Sequence, residues 1–293
     1  MELEHNYIET NGIRLHVVQA GPQSGIPVVL LHGFPEFWYG WRLQIPTLVE
    51  AGCRVIVPDQ RGYNLSDKPE VVKAFSMDEL VKDVIGLIDA LGYEKVNLVG
   101  HDWGAAVAWV VANQYAERLH RLGILNVPHP EVMKRFLKRD LEQLRRSWYI
   151  LFFQLPWLPE ALMRGQDWRA MVRALRDSGK TQTFTDEDIE KYKEAWSQPG
   201  AITAMLNWYR AAAQYQLPDM KDARIRVPTL MMWGMKDVAL SHRLARPCMD
   251  YCDEGNLILF PEATHWVQLD EADPVNHYLA DFLLNKISTQ VIR

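Results

Sequence analysis

Cysteine is scarce in this chain of 293 residues: only Cys53, Cys248 and Cys252 occur, in neither CxxC spacing nor an even set. That argues against a disulfide framework and predicts reduced, structural thiols. The nine histidines show no metal-ligand spacing, so no metal is expected. No apolar run approaches the ~18 residues of a membrane span. The N-terminal Met1-Glu2-Leu3-Glu4-His5 is acidic and lacks the basic and apolar regions of a signal peptide. The cytoplasm is therefore the expected compartment, with no membrane insertion. A net charge of −5 with mixed signs gives no electrostatic footprint for nucleic acid. Apolar residues, in contrast, make up 48% of the chain, enough to fill the core of one large domain or two.

Tyr7-Ile8-Glu9-Thr10 and Ile13-Arg14-Leu15-His16-Val17-Val18 flank Asn11-Gly12, a strong hairpin signal. Short apolar runs follow at 28–31, 55–57, 96–99, 122–125, 229–233 and 257–260, with helical patterns such as Met77 to Leu91 between them. Runs apolar on both faces, separated by amphipathic helices, predict an α/β fold with a mostly parallel, buried sheet. Between about Pro130 and Pro218 the alternation stops. That stretch is rich in Leu, Arg, Trp and Met at helical spacing, and Gly165, Gly179 and Ser197-Gln198-Pro199-Gly200 divide it. The expected organisation is a core segment over 1–129, an all-helical cap over 130–218 and a second core segment over 219–293. The cap should lie over the sheet's C-terminal edge, where such folds bind ligands.

Directly after Val96-Asn97-Leu98-Val99 comes Gly100-His101-Asp102-Trp103-Gly104. This is the strand–turn–helix pattern of a nucleophile elbow with a carboxylate where a serine is expected. The residue type decides the chemistry. Serine attack on saturated carbon would leave an inert ether. A carboxylate leaves an alkyl ester that water cleaves at the carboxyl carbon, and it is ionised at neutral pH without a base. Asp102 thus points to an electrophilic sp3 carbon, in an epoxide or bearing a halide. Gly-x-Asp-x-Gly is a weak pattern by itself, which an ordinary Asp in a βα turn would also match.

Two further positions narrow the reading. Asp237 follows the run at 229–233 and His265 follows the run at 257–260, in the chain order nucleophile, acid, histidine of α/β-hydrolases. In that arrangement His265 activates the water that hydrolyses the ester, while Asp237 orients the ring and stabilises the imidazolium. His32-Gly33-Phe34-Pro35 follows the run at 28–31, and the backbone N–H groups of Phe34 and Trp103 are the expected oxyanion hole. Gly33 permits close approach of the chain, and His32 reads as a hydrogen-bonded structural residue.

His32-Gly33-Phe34-Pro35-Glu36, Trp41-Arg42, Asp59-Gln60-Arg61-Gly62-Tyr63, the elbow and Asn207-Trp208-Tyr209-Arg210 together resemble the soluble epoxide hydrolases of the α/β-hydrolase superfamily. The resemblance spans nearly the whole chain. It implies an eight-stranded α/β-hydrolase core with a helical cap, and cofactor-free hydrolysis of small-molecule epoxides by water to vicinal diols. It also implies two cap tyrosines on the oxirane oxygen: Tyr209 in Asn-Trp-Tyr-Arg, and Tyr149 ahead of Phe153-Gln154-Leu155-Pro156. Epoxide opening generates an alkoxide, which a phenol with an unperturbed pKa near ~10 can polarise and protonate. Tyr39, Tyr63, Tyr93, Tyr192 and Tyr215 lack such context and are expected in packing or at the surface. Asn64 stands where related sequences often carry Gly, a small departure because Asn tolerates left-handed backbone angles.

Dehalogenases on the same scaffold are the nearest alternative. The Asp102-Trp103 pair is similar to that of haloalkane dehalogenases, but those usually have Asn where this chain has Phe34. Fluoroacetate dehalogenases carry arginines just after the nucleophile, where Trp103, Ala105 and Ala106 stand here. A non-catalytic binding module is a further alternative, against which the intact set Asp102, Asp237 and His265 argues.

Overall fold

The computed structural model describes residues 1–218 and 220–286. Strands β1 (Glu4–Thr10) and β2 (Ile13–Ala20) pair antiparallel about Asn11-Gly12, whose φ angles of 46° and 73° suit the tight turn that such a hairpin requires. Then follow β3 (Ile26–Leu31), β4 (Cys53–Pro58), β5 (Val96–His101), β6 (Leu119–Leu125), β7 (Thr229–Gly234) and β8 (Gly255–Phe260). They form one eight-stranded sheet of order β1-β2-β4-β3-β5-β6-β7-β8, parallel from β4 to β8.

Helices α1 (Gln44–Glu50), α2 (Met77–Ala90) and α3 (Trp103–Gln114) alternate with the early strands. Between β6 and β7 run α4 (Pro130–Arg139), α5 (Leu141–Arg146), α6 (Trp148–Phe152), α7 (Leu158–Ser178), α8 (Asp186–Trp196) and α9 (Ala201–Gln214). The chain closes its described part with α10 (Ala245–Cys248), α11 (Val267–Asp270) and α12 (Ala272–Leu283). The expected last segment, 219–293, includes Asp219 and residues 287–293, which lie outside the described residues.

The continuous apolar runs have a simple cause: both faces of the sheet are covered. In β3, Val28 and Leu30 join the core cluster that holds Ile45 of α1 and Leu279 of α12, while Val29 and Leu31 join the one that holds Leu80 of α2 and Val107 of α3. Each such fully buried side chain stabilises the fold by about 1.5–3 kcal/mol. β8 differs from the expected buried run. As the edge strand it has a sheet neighbour on one side only and is half-buried over most of its length.

The helical insert is tied down by polar bonds as well as by packing. The indole N–H of Trp196 donates to the Pro35 carbonyl at 2.7 Å, and that of Trp208 to the Arg61 carbonyl at 2.9 Å. Gly165 breaks α7 as expected, with Gln166, Asp167 and Trp168 at positive φ. A break before α5 is set by Asp140, whose side chain accepts the N–H groups of Glu142 and Gln143. Among the described residues no helix is long and apolar enough to cross a membrane.

Register places the site. Leu31 pairs with Gly100, His101 with Leu125, Leu125 with Met232, and Gly234 with Phe260, so the C-terminal ends of five parallel strands share one edge. The loops leaving that edge carry Phe34, Asp102, Asn126, Asp237 and His265.

Candidate active site

Asp102 sits between β5 and α3 with φ 49° and ψ −126°, a conformation that costs a non-glycine residue on the order of 1–3 kcal/mol. The surrounding glycines make this sharp turn possible. A Cβ on Gly100 would lie 2.5 Å from the Gly104 carbonyl oxygen, and one on Gly104 would lie 2.6 Å from the His32 carbonyl oxygen. A Cβ on Gly33 would run into the Asp102 carboxylate itself. Backbone surrounds Gly104 and cannot yield cheaply. Gly104→Ala should therefore destabilise the protein by about 1–3 kcal/mol through overpacking, read as a lowered thermal midpoint; an unchanged midpoint would mean that β3 and α3 have slack to separate.

The Phe34 N–H donates to Asp102 Oδ1 at 2.7 Å. Trp103 is the first residue of α3, so its N–H has no carbonyl within the helix to serve. Both donors expected at the oxyanion position thus belong to the elements that meet at Asp102. His32 is buried and structural in geometry: Nδ1 bonds the Gly33 carbonyl, and Nε2 accepts the Gln60 N–H at 3.0 Å.

His265 Nδ1 lies 2.7 Å from Asp237 Oδ2, and Nε2 lies 3.5 Å from Asp102 Oδ2. Asp237 is buried and further held by the N–H groups of Ala239 (2.7 Å) and Leu240 (2.9 Å) and by Asn126 Nδ2 (2.8 Å). Burial disfavours the His265 imidazolium, but the charges of Asp237 and Asp102 and its bonds to both more than offset that and hold its pKa well above the ordinary value. Burial likewise disfavours the Asp102 carboxylate. His265, His101 and the Phe34 N–H outweigh it and place the Asp102 pKa below the usual carboxylate range. His265 thus lies between two carboxylates, within ion-pair distance of each.

Tyr209 on α9 reaches the elbow from the insert, and Tyr149 on α6 packs against Tyr209 and Phe153. The Tyr209 ring meets Trp103 edge-on at 5.0 Å, Phe34 at 5.4 Å and Tyr149 at 5.9 Å between centroids. Burial, and then the Asp102 charge, raise the pKa of both phenols, Tyr209 well above its ordinary value. They therefore stay protonated at neutral pH. The Asn207-Trp208-Tyr209-Arg210 motif has a mechanical basis. Trp208 ties α9 to the core, and Arg210 bonds the Phe153 and Leu155 carbonyls and Glu160 Oε1 (3.1, 2.9 and 2.7 Å), holding the segment after Tyr149 against α9.

Several residues around the site carry no role in the sequence reading. Asn126, at φ 53°, donates to Asp237 and accepts the Gly234 N–H at 3.0 Å, joining the ends of β6 and β7. His101 Nε2 donates to the His265 carbonyl at 2.8 Å, and its Nδ1 lies 3.2 Å from Glu36 Oε2. Tyr192 donates to Glu36 Oε1 at 2.9 Å, and Gln268 reaches both Glu36 and His101. Glu36 and His101 fall inside quoted motifs, which gives a positional hint without a role. Tyr192 reads from sequence as packing or surface, and its place in this network comes from tertiary contact alone.

The sequence profile of the alpha/beta hydrolase fold matches residues 26–272. The chain belongs to the α/β-hydrolase superfamily. It is 49% identical to the AB hydrolase superfamily protein YfhM of Bacillus subtilis over 96% of this chain and 98% of that one. It is 34% identical to epoxide hydrolase A of Mycobacterium tuberculosis, over 94% and 96% respectively. A crystal structure of Bacillus megaterium epoxide hydrolase in complex with an inhibitor superposes with a TM-score of 0.89 at 29% identity, over 96% of this chain and all of that one. The protein is thus an α/β-hydrolase related to epoxide hydrolases at moderate identity.

Proposed function

We propose that this protein hydrolyses epoxides to vicinal diols through an ester on Asp102. The observation that carries the reading is the pair of phenols, Tyr149 and Tyr209, whose rings meet within the insert and which both feel the Asp102 charge. An oxirane oxygen needs a proton as its C–O bond breaks; a halide does not. Relatives named epoxide hydrolases support the reading.

The steps balance. Asp102 attacks an oxirane carbon, the C–O bond breaks, and the oxygen takes a proton from one phenol. The Asp102 charge is now lost in the ester, so His265 loses one of the two anions that raised its pKa and can return a proton to the tyrosinate. Neutral His265 then deprotonates water, which attacks the ester carbonyl while the Phe34 and Trp103 N–H groups receive the oxyanion. Collapse expels the diol oxygen, which takes the proton from His265. The Asp102 carboxyl then gives its proton to the ring and restores the resting ion pairs.

Incubation with an aromatic epoxide should yield diol, while a parallel assay with a chloroalkane should release little halide. Halide release without diol would replace this reading with dehalogenation. Asp237→Asn should keep the fold but leave His265 poorly oriented and its cation unsupported, slowing ester hydrolysis more than alkylation. Single-turnover kinetics separate the two steps, and equal slowing of both would remove Asp237 from the relay.

A further inference from the structure

The outer face of the insert carries a feature that depends on no catalytic assignment. Leu141, Leu144, Trp148, Leu151 and Leu155 recur at intervals of three and four residues across α5, α6 and the turn that follows, the spacing of one helical face. All five are exposed, Leu151 by 74%, and Trp157 beyond them by 72%. The Ser147 N–H donates to the Gln143 carbonyl and the Ile150 N–H to that of Ser147, so helical bonding bridges the join between α5 and α6. Gln143, Ser147 and Phe153 are buried on the other side. A stripe of large exposed apolar side chains marks an interaction surface.

Charge identifies the partner. Every carboxylate from Glu131 to Asp167 has a cation within ion-pair distance: Lys134 for Glu131, Arg243 for Asp140, Arg146 for Glu142, Arg210 for Glu160 and Lys193 for Asp167. Arg135, Lys138, Arg139, Arg145 and Arg164 are exposed and form no ion pair among the described residues. In a chain of net charge −5, this stretch of sequence holds uncompensated positive charge together with two exposed tryptophans, Trp148 and Trp157. A second copy docked about a two-fold axis would bring the same cations together, which opposes self-association. Anionic headgroups attract them, and Trp and Leu side chains settle at the boundary between headgroups and acyl chains. We propose that the α5–α6 face docks peripherally on an anionic lipid bilayer. Tyr149 lies on the same helix α6, which is about 10 Å across. A docked molecule therefore holds its candidate site roughly one helix diameter from the lipid, placed to take up apolar substrates dissolved there.

Co-sedimentation with phosphatidylcholine vesicles, with and without phosphatidylglycerol, tests this. Wild type should pellet with the phosphatidylglycerol vesicles, less so as salt rises, and should stay in solution with phosphatidylcholine alone. Leu144→Gln/Leu151→Gln/Trp157→Gln should lose the binding at an unchanged thermal midpoint. Arg135→Glu/Arg139→Glu/Arg145→Glu should weaken partitioning by about fivefold or more for each cation lost. Absence of binding, or equal binding to both vesicle types, would overturn the proposal. So would a dimer in sedimentation velocity that the apolar triple variant dissociates, since that would make the face a contact between copies.

Discussion

Tyr149→Phe/Tyr209→Phe should nearly abolish alkylation of Asp102 by an epoxide, while halide displacement from a matched alkyl halide should change far less. Losing a general-acid donor typically costs about 10²–10⁴-fold. Both phenols feel the Asp102 charge and their rings are in contact, so one can serve when the other is missing. Each single variant should therefore fall at the mild end of that range, and the strong effect belongs to the double variant. Phenylalanine keeps the ring contacts of Tyr209 with Trp103, Phe34 and Phe153, so the fold should survive. Rapid-quench rates on wild type and the double variant decide the matter. Epoxide opening at a near wild-type rate would remove the tyrosines from the chemistry, and with them the main reason to prefer epoxides.

His265→Gln should stall the reaction at the ester. Asp102 attacks without a base, so the variant should still be alkylated, but no group then activates water against the ester carbonyl. Intact-protein mass spectrometry should show an adduct of substrate mass, and digestion should place it on the peptide containing Asp102. A pH dependence follows, with a definite sign. His265 lowers the Asp102 pKa through its hydrogen bond and charge, against the opposing effect of burial. Without it the carboxyl should titrate at higher pH, so alkylation in the variant should begin to fail at a higher pH than in wild type as acid is added. An unlabelled variant that still binds substrate would refute this order of events.

The strands were legible because their signal is local. Two covered sheet faces demand apolar residues at consecutive positions, and Asn11-Gly12 satisfies a turn that few pairs can make. The elbow was legible for the same reason: its glycines are required by backbone contacts within a few residues or with the adjacent strand β3. Asp102, Asp237 and His265 could be picked out because each follows a strand, and parallel strands in register bring their ends to one edge. Tyr149 and Tyr209 came only through resemblance, since a tyrosine on a helix has no local mark that distinguishes a proton donor from packing.

By itself, then, the sequence determined the α/β architecture, the helical insert and a carboxylate on a strained turn, all of which follow from periodicity and backbone sterics. Only the tertiary structure decided what surrounds them. Asn126 meets Asp237 across 111 residues, and Tyr192 meets Glu36 across 156. Burying polar groups of such separate segments together requires that each find a partner, and no neighbour in the chain records which one. The same holds for the stripe from Leu141 to Leu155. Its residues share one helical face, and only the burial of Gln143, Ser147 and Phe153 on the other side shows that this face is turned to the outside.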